Sequence, residues 1–231
     1  MKQKETLLNT RLTNLDFVNA DEMGDEHAGS SAETPLRPDA FEMDDQLKME
    51  LIAKHFKEIM HILGLDLNDD SLKGTPYRVA KMYVQEIFGG LNPKNKPAVK
   101  LFENKFNYNE MLVEKDITFY SNCEHHFVPI FGKAHIAYIS AGKVIGLSKI
   151  NRIVQYYARR PQVQERLTVQ IANELKDILQ TEDVAVILDA RHMCVSSRGI
   201  KDYDSKTTTS HYGGQFNTES VKQEFLKYLS I

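Results

Sequence analysis

The sequence predicts an α+β protein built on an antiparallel sheet, and three observations carry that expectation. From residue 116 onward the apolar pattern reads strand, strand, helix, helix, strand, strand, so strand pairs flank a helix pair. Two amphipathic helical segments precede that run. Neither an internal repeat nor a glycine-rich phosphate loop interrupts the order.

The elements follow in sequence. Residues 1–41 are predicted to be an acidic, disordered tail. Asp21-Glu22-Met23-Gly24-Asp25-Glu26 and Gly29-Ser30-Ser31-Ala32-Glu33 carry no apolar period, and Pro35 and Pro38 close the stretch. Such a segment buries too little surface to offset its ordering entropy. A helical region is predicted over 42–97. Asp44 or Asp45 caps its first helix, Ile52, Phe56, Ile59 and Leu63 form one apolar stripe, and Gly64 ends it. Thr75 is read as the cap of a second helix, with Pro76 in the first turn, where a missing N–H is harmless. Val79, Tyr83 and Ile87 are its inward face, Gly89-Gly90 stops it, and residues 92–97 are a loop.

The main domain is predicted over 98–231. Ile117, Phe119, Ser121 and Cys123 share one strand face, and Ala134, Ile136 and Tyr138 suggest the partner strand. Ser148 is read as the cap of a helix carrying Ile150, Ile153, Val154 and Tyr157, which Pro161 ends. A second helix turns Val163, Leu167, Ile171, Leu175 and Ile178 inward. Val184 to Leu188 is a short strand, the threonine-rich run from Lys206 to Tyr212 another, and Thr218 caps a last helix bearing Val221, Phe225 and Tyr228.

Composition removes whole classes of protein. The 231 residues are 42% hydrophobic and 26% charged, ordinary for a globular chain. No run approaches the ~20 apolar residues that span a bilayer, and the first 30 lack the apolar core of an export signal. A cytoplasmic protein with no membrane partner is expected. The net charge of -3 conceals an asymmetry, because residues 1–46 hold 4 Lys/Arg against 11 Asp/Glu. The mildly basic remainder tolerates an anionic substrate but forms no nucleic-acid stripe.

Chemistry concentrates around the two cysteines. Cys123-Glu124-His125-His126 sets a thiol and an imidazole within one turn of each other. Far downstream, His192-Met193-Cys194 is read as a continuation of the Val184 strand, with His192 and Cys194 on one face. Each cysteine thus has a histidine within three positions, among only eight histidines in the chain. Shared ligation of one ion is the favoured reading over coincidental packing, and sulfur with imidazole favours zinc. Cys123, Cys194 and one of His125 or His126 make three ligands. A catalytic site keeps a position for water, whereas a closed Cys2His2 site would use two of the histidines and leave nothing for proton transfer.

Basic residues cluster beside these motifs. Ser148-Lys149-Ile150-Asn151-Arg152 opens a helix, where backbone N–H groups and the helix dipole favour an anion. Arg198 follows the second cysteine, and Arg78 and Lys81 sit on the Thr75 helix. Together with a metal they suggest a polyphosphate or another multiply charged ligand. Glu165, in Gln164-Glu165-Arg166, can accept two hydrogen bonds from a guanine edge, although glutamate in a first turn more often serves as a cap.

Five segments, in order, resemble the GTP cyclohydrolase I family. They are residues 74–83 (GTPYRVAKMY), 123–127 (CEHHF), 146–152 (GLSKINR), 160–167 (RPQVQERL) and 192–195 (HMCV). The resemblance runs from about residue 45 to the C-terminus. It implies a T-fold, in which antiparallel strands of several subunits close a barrel with helices on one face, in pentamers that pair into a homo-oligomeric decamer with inter-subunit active sites. It implies zinc held by Cys123, His126 and Cys194, and a reaction converting GTP and water into 7,8-dihydroneopterin triphosphate and formate. His192 would then protonate the purine and His125 would assist ribose opening. Glu165 would hold guanine, and Ser148, Lys149, Gln164, Arg152 and Arg198 the triphosphate, with Arg78 and Lys81 from a neighbouring subunit. The tail is expected to be dispensable for catalysis.

Two other readings compete. A T-fold scaffold with structural zinc would share the fold and lack turnover. A zinc nucleobase deaminase needs a His-x-Glu and a Pro-Cys-x-x-Cys element, and neither cysteine has a second one nearby.

Overall fold

Asp44 opens the first helix, accepting the Leu47 amide at 2.8 Å and so satisfying one of the orphan N–H groups of α1, Asp45–Ile62. The computed structural model describes residues 31–230; most of the expected tail, residues 1–30, therefore lies outside the described residues. Within the part described, Glu33 accepts a hydrogen bond from Gln170 at 2.8 Å. Gly64, at φ +80, follows the end of α1 as expected for a left-handed terminator. The stripe read from the sequence is covered only in part: Ile52 and Phe56 are half-buried on the side of buried Met49 and Met60, while Ile59 and Leu63 are exposed. An apolar period announces a helix without saying how much of the stripe its neighbour will cover.

Two helix starts differ from their sequence reading. Gly74 occupies the cap position of α2, Thr75–Lys81, and Thr75 is its first helical residue, accepting from Arg78 at 3.0 Å. Pro76 lies in the first turn as predicted. The helix runs on as a π-helix over Met82–Ile87, a form found mostly in short pieces at functional sites. Two short 3₁₀ turns follow, Gly89–Leu91 and Pro93–Asn95. Gly90 is required by close approach: its amide donates to Arg159 O at 2.9 Å, and a Cβ there would strike Tyr156 O.

The main sheet has the order β5-β2-β3-β6-β7. Its strands are β2 (Met111–Cys123), β3 (Pro129–Ile139), β5 (Pro161–Gln162), β6 (Val184–His192) and β7 (Thr207–Tyr212). All neighbours are antiparallel except the two-residue β5, which runs parallel to the end of β2. β1 (Leu101–Glu103) and β4 (Lys143–Ile145) form a separate antiparallel pair that the sequence pattern did not announce. β2 also starts five residues earlier than its alternation suggests. A register shift between Glu114 and Ile117, with Asp116 at φ +61, breaks the period of two there.

Alternation splits the sheet between two cores. Phe119, Cys123, Ala134, Ile136, Val184, Val186 and Leu188 face α3 (Leu147–Ala158) and α4 (Gln164–Leu179), meeting Ile150, Ile153, Leu167 and Ile171. Their neighbours Ala137, Ala185 and Ile187 belong to a second cluster with Phe216 and Phe225, the latter on α6 (Glu219–Leu229). The expectation of helices on one face therefore holds for α3 and α4 but not for α6. Thr218 occupies the cap position of α6, yet its hydroxyl donates to Gln215 O at 2.7 Å and makes no cap hydrogen bond. Gly146, not Ser148, occupies the cap position of α3. No helix among the described residues is long and apolar enough to cross a membrane.

Candidate active site

β2 delivers Cys123 to the site as its last residue. The chain then turns tightly: Phe127 N donates to Cys123 O at 2.8 Å and Cys123 N to Val128 O at 2.9 Å, with Phe127 at φ +54. That turn carries Glu124, His125 and His126. Two features from outside hold it. The Phe127 ring packs edge-on at 5.1 Å from Phe88 and 6.5 Å from Tyr83, tying it to the π-helix and its end. Arg166 of α4 pairs with Glu124 at 2.6 Å and is 2% exposed.

The second thiol arrives by a different route from the one its spacing suggested. β6 ends at His192, and Cys194 sits on a one-turn helix, α5 (Met193–Ser196). Period-two alternation stops at His192, so the two residues do not share a strand face. The coil is what swings the sulfur toward Cys123.

One sulfur or nitrogen each from Cys123, His126 and Cys194 lie within 4.8 Å of one another. Tetrahedral zinc, with Zn–S of about 2.3 Å and Zn–N of about 2.0 Å, places its ligand atoms about 3.5–3.8 Å apart; this group needs only a small contraction to match. His125 Nδ1 lies 3.7 Å from Cys123 Sγ and His126 Nδ1 3.9 Å, so distance to one sulfur does not separate the two histidines. Proximity to both sulfurs does, and only His126 joins the group. Burial, then the neighbouring Cys123, pushes the Cys194 thiol up to about 11. A bound divalent cation reverses that balance by stabilising thiolate.

His192 is held apart from the three. Its Nε2 lies 2.7 Å from Gln164 Oε1, and burial lowers its pKa while Glu165 opposes that shift. Gln164 and Glu165 come near the metal turn because β5 pairs with the end of β2, Gln162 opposite Cys123, and α4 starts two residues later. Glu165 is exposed, as a ligand contact requires, whereas Gln164 is 1% exposed. The open side chain that a triphosphate contact demands is not what this structure gives Gln164. Arg198 Nη1 lies 3.0 Å from His126 Nε2, next to the metal group.

The remaining expected anion ligands stand elsewhere in the chain. Ser148 and Arg152 are exposed on α3 and Lys149 is half-buried there. Arg78 donates to Ser71 O and Thr75 Oγ1, and Lys81 is exposed at the end of α2. Among the described residues no hydrogen bond joins these five to the cysteines or to His192. Sequence reasoning missed Glu124, Arg166, Phe88 and Phe127 as supports. Glu124, Phe127 and Arg166 lie within the quoted motifs and Phe88 outside them, but nothing local marks any of the four as a support, since their partners lie far away in the chain.

A mixed fold carrying two thiols and one imidazole that could hold a metal ion, with His192 held by Gln164 nearby, defines a protein with a candidate cysteine–histidine metal centre. Comparison with known proteins makes the assignment particular. The sequence model of the GTP cyclohydrolase I family matches residues 52–230. A protein of Flavobacterium johnsoniae named GTP cyclohydrolase 1 is 59% identical over 220 residues, covering 95% of this chain and 98% of its own. Proteins of the same name from Citrobacter koseri and Salmonella arizonae are 56% and 57% identical over 196 residues, covering 84% of this chain and 88% of theirs. The chain belongs to the GTP cyclohydrolase I family. An apo structure of the archaeosine synthase QueF-Like aligns over 45% of this chain and 93% of its own with a TM-score of 0.38 at 16% identity, too slight a likeness to argue from.

Proposed function

We propose that this chain converts GTP and water into 7,8-dihydroneopterin triphosphate and formate, the entry reaction of pterin and tetrahydrofolate biosynthesis. The observation that carries the reading is the convergence of Cys123, His126 and Cys194 within 4.8 Å, with a further histidine held outside the group. Two thiolates and one imidazole suit zinc, and three protein ligands are the complement of a catalytic site. Zinc, when bound there, supplies Lewis acidity that brings the pKa of a water toward ~7.

The chain's own residues do the rest. Glu165 accepts hydrogen bonds from the N1–H and 2-amino group of guanine, which selects GTP over ATP. His192 delivers a proton to N7 of the purine as water adds at C8, and the imidazole ring of the substrate opens. His125 assists opening of the ribose. Ser148, Lys149, Arg152 and Arg198 hold the triphosphate. Arg78 and Lys81 complete that set from a neighbouring subunit of a homodecamer made of two pentamers, whose strands close a T-fold barrel. The absence, among the described residues, of any hydrogen bond from Arg78 or Lys81 to the cysteines or His192 is compatible with a site completed by a second subunit. The enzyme works in the cytoplasm, on a soluble nucleotide.

The test is direct. Zinc-loaded protein mixed with GTP is expected to yield formate and a fluorescent pterin after oxidation; neither product from assembled, metal-replete protein would favour a non-catalytic zinc scaffold. Cys194→Ser is expected to lose bound metal and turnover together. Full turnover without metal would overturn the metal-dependent reading.

A further inference from the structure

Gln164 is the most completely engaged polar side chain beside the proposed site. Its Nε2 donates toward Thr207 O at 2.8 Å, Leu188 O at 3.1 Å and Thr209 Oγ1 at 3.1 Å. Carbonyl oxygens can only accept. The amide is therefore locked in one orientation, since turning it over would set Oε1 against two carbonyls in an environment where Gln164 is 1% exposed. Thr168 reinforces the arrangement: its hydroxyl lies 2.8 Å from Gln164 O and 2.6 Å from Thr209 Oγ1.

That orientation leaves Oε1 facing His192 Nε2 at 2.7 Å. Oε1 is an acceptor, so Nε2 must carry the proton. A neutral His192 is then the Nε2–H tautomer with its lone pair on Nδ1, which has no hydrogen-bond partner among the described residues. We propose that Gln164 is a positioning residue that fixes the tautomer and ring plane of His192, so that protons pass to substrate through Nδ1, and that it makes no contact with the triphosphate.

The inference rests on the reading of His192 as the proton donor. In the step, Nδ1–H of the imidazolium breaks and its electron pair stays on the ring. The proton bonds to the purine nitrogen, and the resulting neutral ring is already the tautomer that Gln164 accepts from. No proton has to move at Nε2 in either direction. β6 supplies His192 and Leu188, β7 supplies Thr207 and Thr209, and α4 supplies Gln164. One amide thus registers the donor against three elements of the fold.

Gln164→Met keeps length and volume but removes both hydrogen-bonding functions. It is expected to lower kcat by about 100-fold, at the low end for loss of a general acid's contribution. GTP KM should change less than about threefold and metal content should be retained. A KM raised tenfold or more at unchanged kcat would instead make Gln164 a substrate contact and overturn the proposal, as would wild-type kinetics. The wild-type enzyme provides a second measurement that no folding defect can cloud. ¹⁵N spectra of histidine-labelled protein at about pH 8.5, where a histidine of ordinary or lowered pKa is neutral, should show an Nε2–H resonance pattern that disappears in His192→Ala. An Nδ1–H pattern for that residue overturns the tautomer assignment. Full turnover by His192→Ala would defeat the underlying reading of the donor; an inactive His192→Ala beside a fully active Gln164→Met would defeat only the role of Gln164.

Discussion

Arg166 and Glu124 form a two-pronged ion pair, Nη1 to Oε2 at 2.6 Å and Nη2 to Oε1 at 3.2 Å. It joins the residue directly after the strand-end cysteine to the first turn of α4, the helix that also carries Gln164 and Glu165. The turn that carries His126 and the helix α4 are thereby braced against each other through a guanidinium that is almost wholly buried.

Arg166→Met is expected to remove the two-pronged partner of the Glu124 carboxylate, leaving it His125 Nε2 at 3.8 Å. Breaking a buried pair by removing one partner costs about 3–5 kcal/mol, and the residual exposure of Glu124 puts this case at about 3 kcal/mol. Chemical denaturation measures that loss. Metal content after gel filtration should fall with it, because the turn bearing His126 loses its brace. A variant that keeps wild-type stability and full metal occupancy would show that the pair is incidental.

Acid sensitivity follows from His135 on β3. Its Nδ1 accepts the Asp116 amide at 3.2 Å. Burial lowers its pKa most; Asp116 and Asp189 raise it, and Lys115 and Lys133 lower it further. The unfolded chain therefore binds a proton here at higher pH than the folded one. The contribution is fully present above the ordinary histidine value of about 6.5 and is lost as pH falls from there through the lower folded value. His135→Asn keeps an acceptor for Asp116 and removes the titration. Urea unfolding between about pH 7 and 5 should show a shallower loss of stability in the variant than in the wild type. His211, lowered likewise by burial, keeps part of the slope in both. Equal slopes would remove His135 from the account.

Metal removal should be felt by Arg198. A guanidinium can only donate, so its 3.0 Å contact makes His126 Nε2 an acceptor. Ligation through either ring nitrogen ends that: it occupies the Nε2 lone pair or leaves the proton there. Metal loading is therefore expected to release Arg198 for phosphate. In His192→Ala, used to prevent turnover, titration calorimetry should show GTP binding weakened by about tenfold or more on chelation, the size of one charge-assisted hydrogen bond. Adding Arg198→Met should reduce that difference. An undiminished metal effect in the double variant would show that Arg198 is not the link.

Much of this protein is legible along the chain. Alternation at Ile117, Phe119, Ser121 and Cys123 marks a strand face that is buried throughout, and the short spacing in Cys123-Glu124-His125-His126 marks metal chemistry. Local signals do this because side-chain period and ligand spacing are properties of neighbouring residues. They fail where a neighbour in space decides. The stripe on α1 named a helix and half of its covered face, Ile52 and Phe56, but Ile59 and Leu63 stay exposed. The bulge at Asp116 hides the start of β2, and the alternation that places Cys194 on the strand of His192 does not reveal that this strand stops there.

By itself, the sequence determined the α+β class, the two thiols and the imidazoles beside them, and, through five ordered motifs, the family. Tertiary structure brings the His126 ring, which the family motif already favoured, near both sulfurs through convergence of the strand end with the α5 coil. It also turned Gln164 inward, toward His192, Leu188, Thr207 and Thr209, and closed Arg166 on Glu124. Those choices are written in contacts between residues far apart in the chain, whose energies depend on burial and mutual orientation that exist only once the sheet and α4 have packed together.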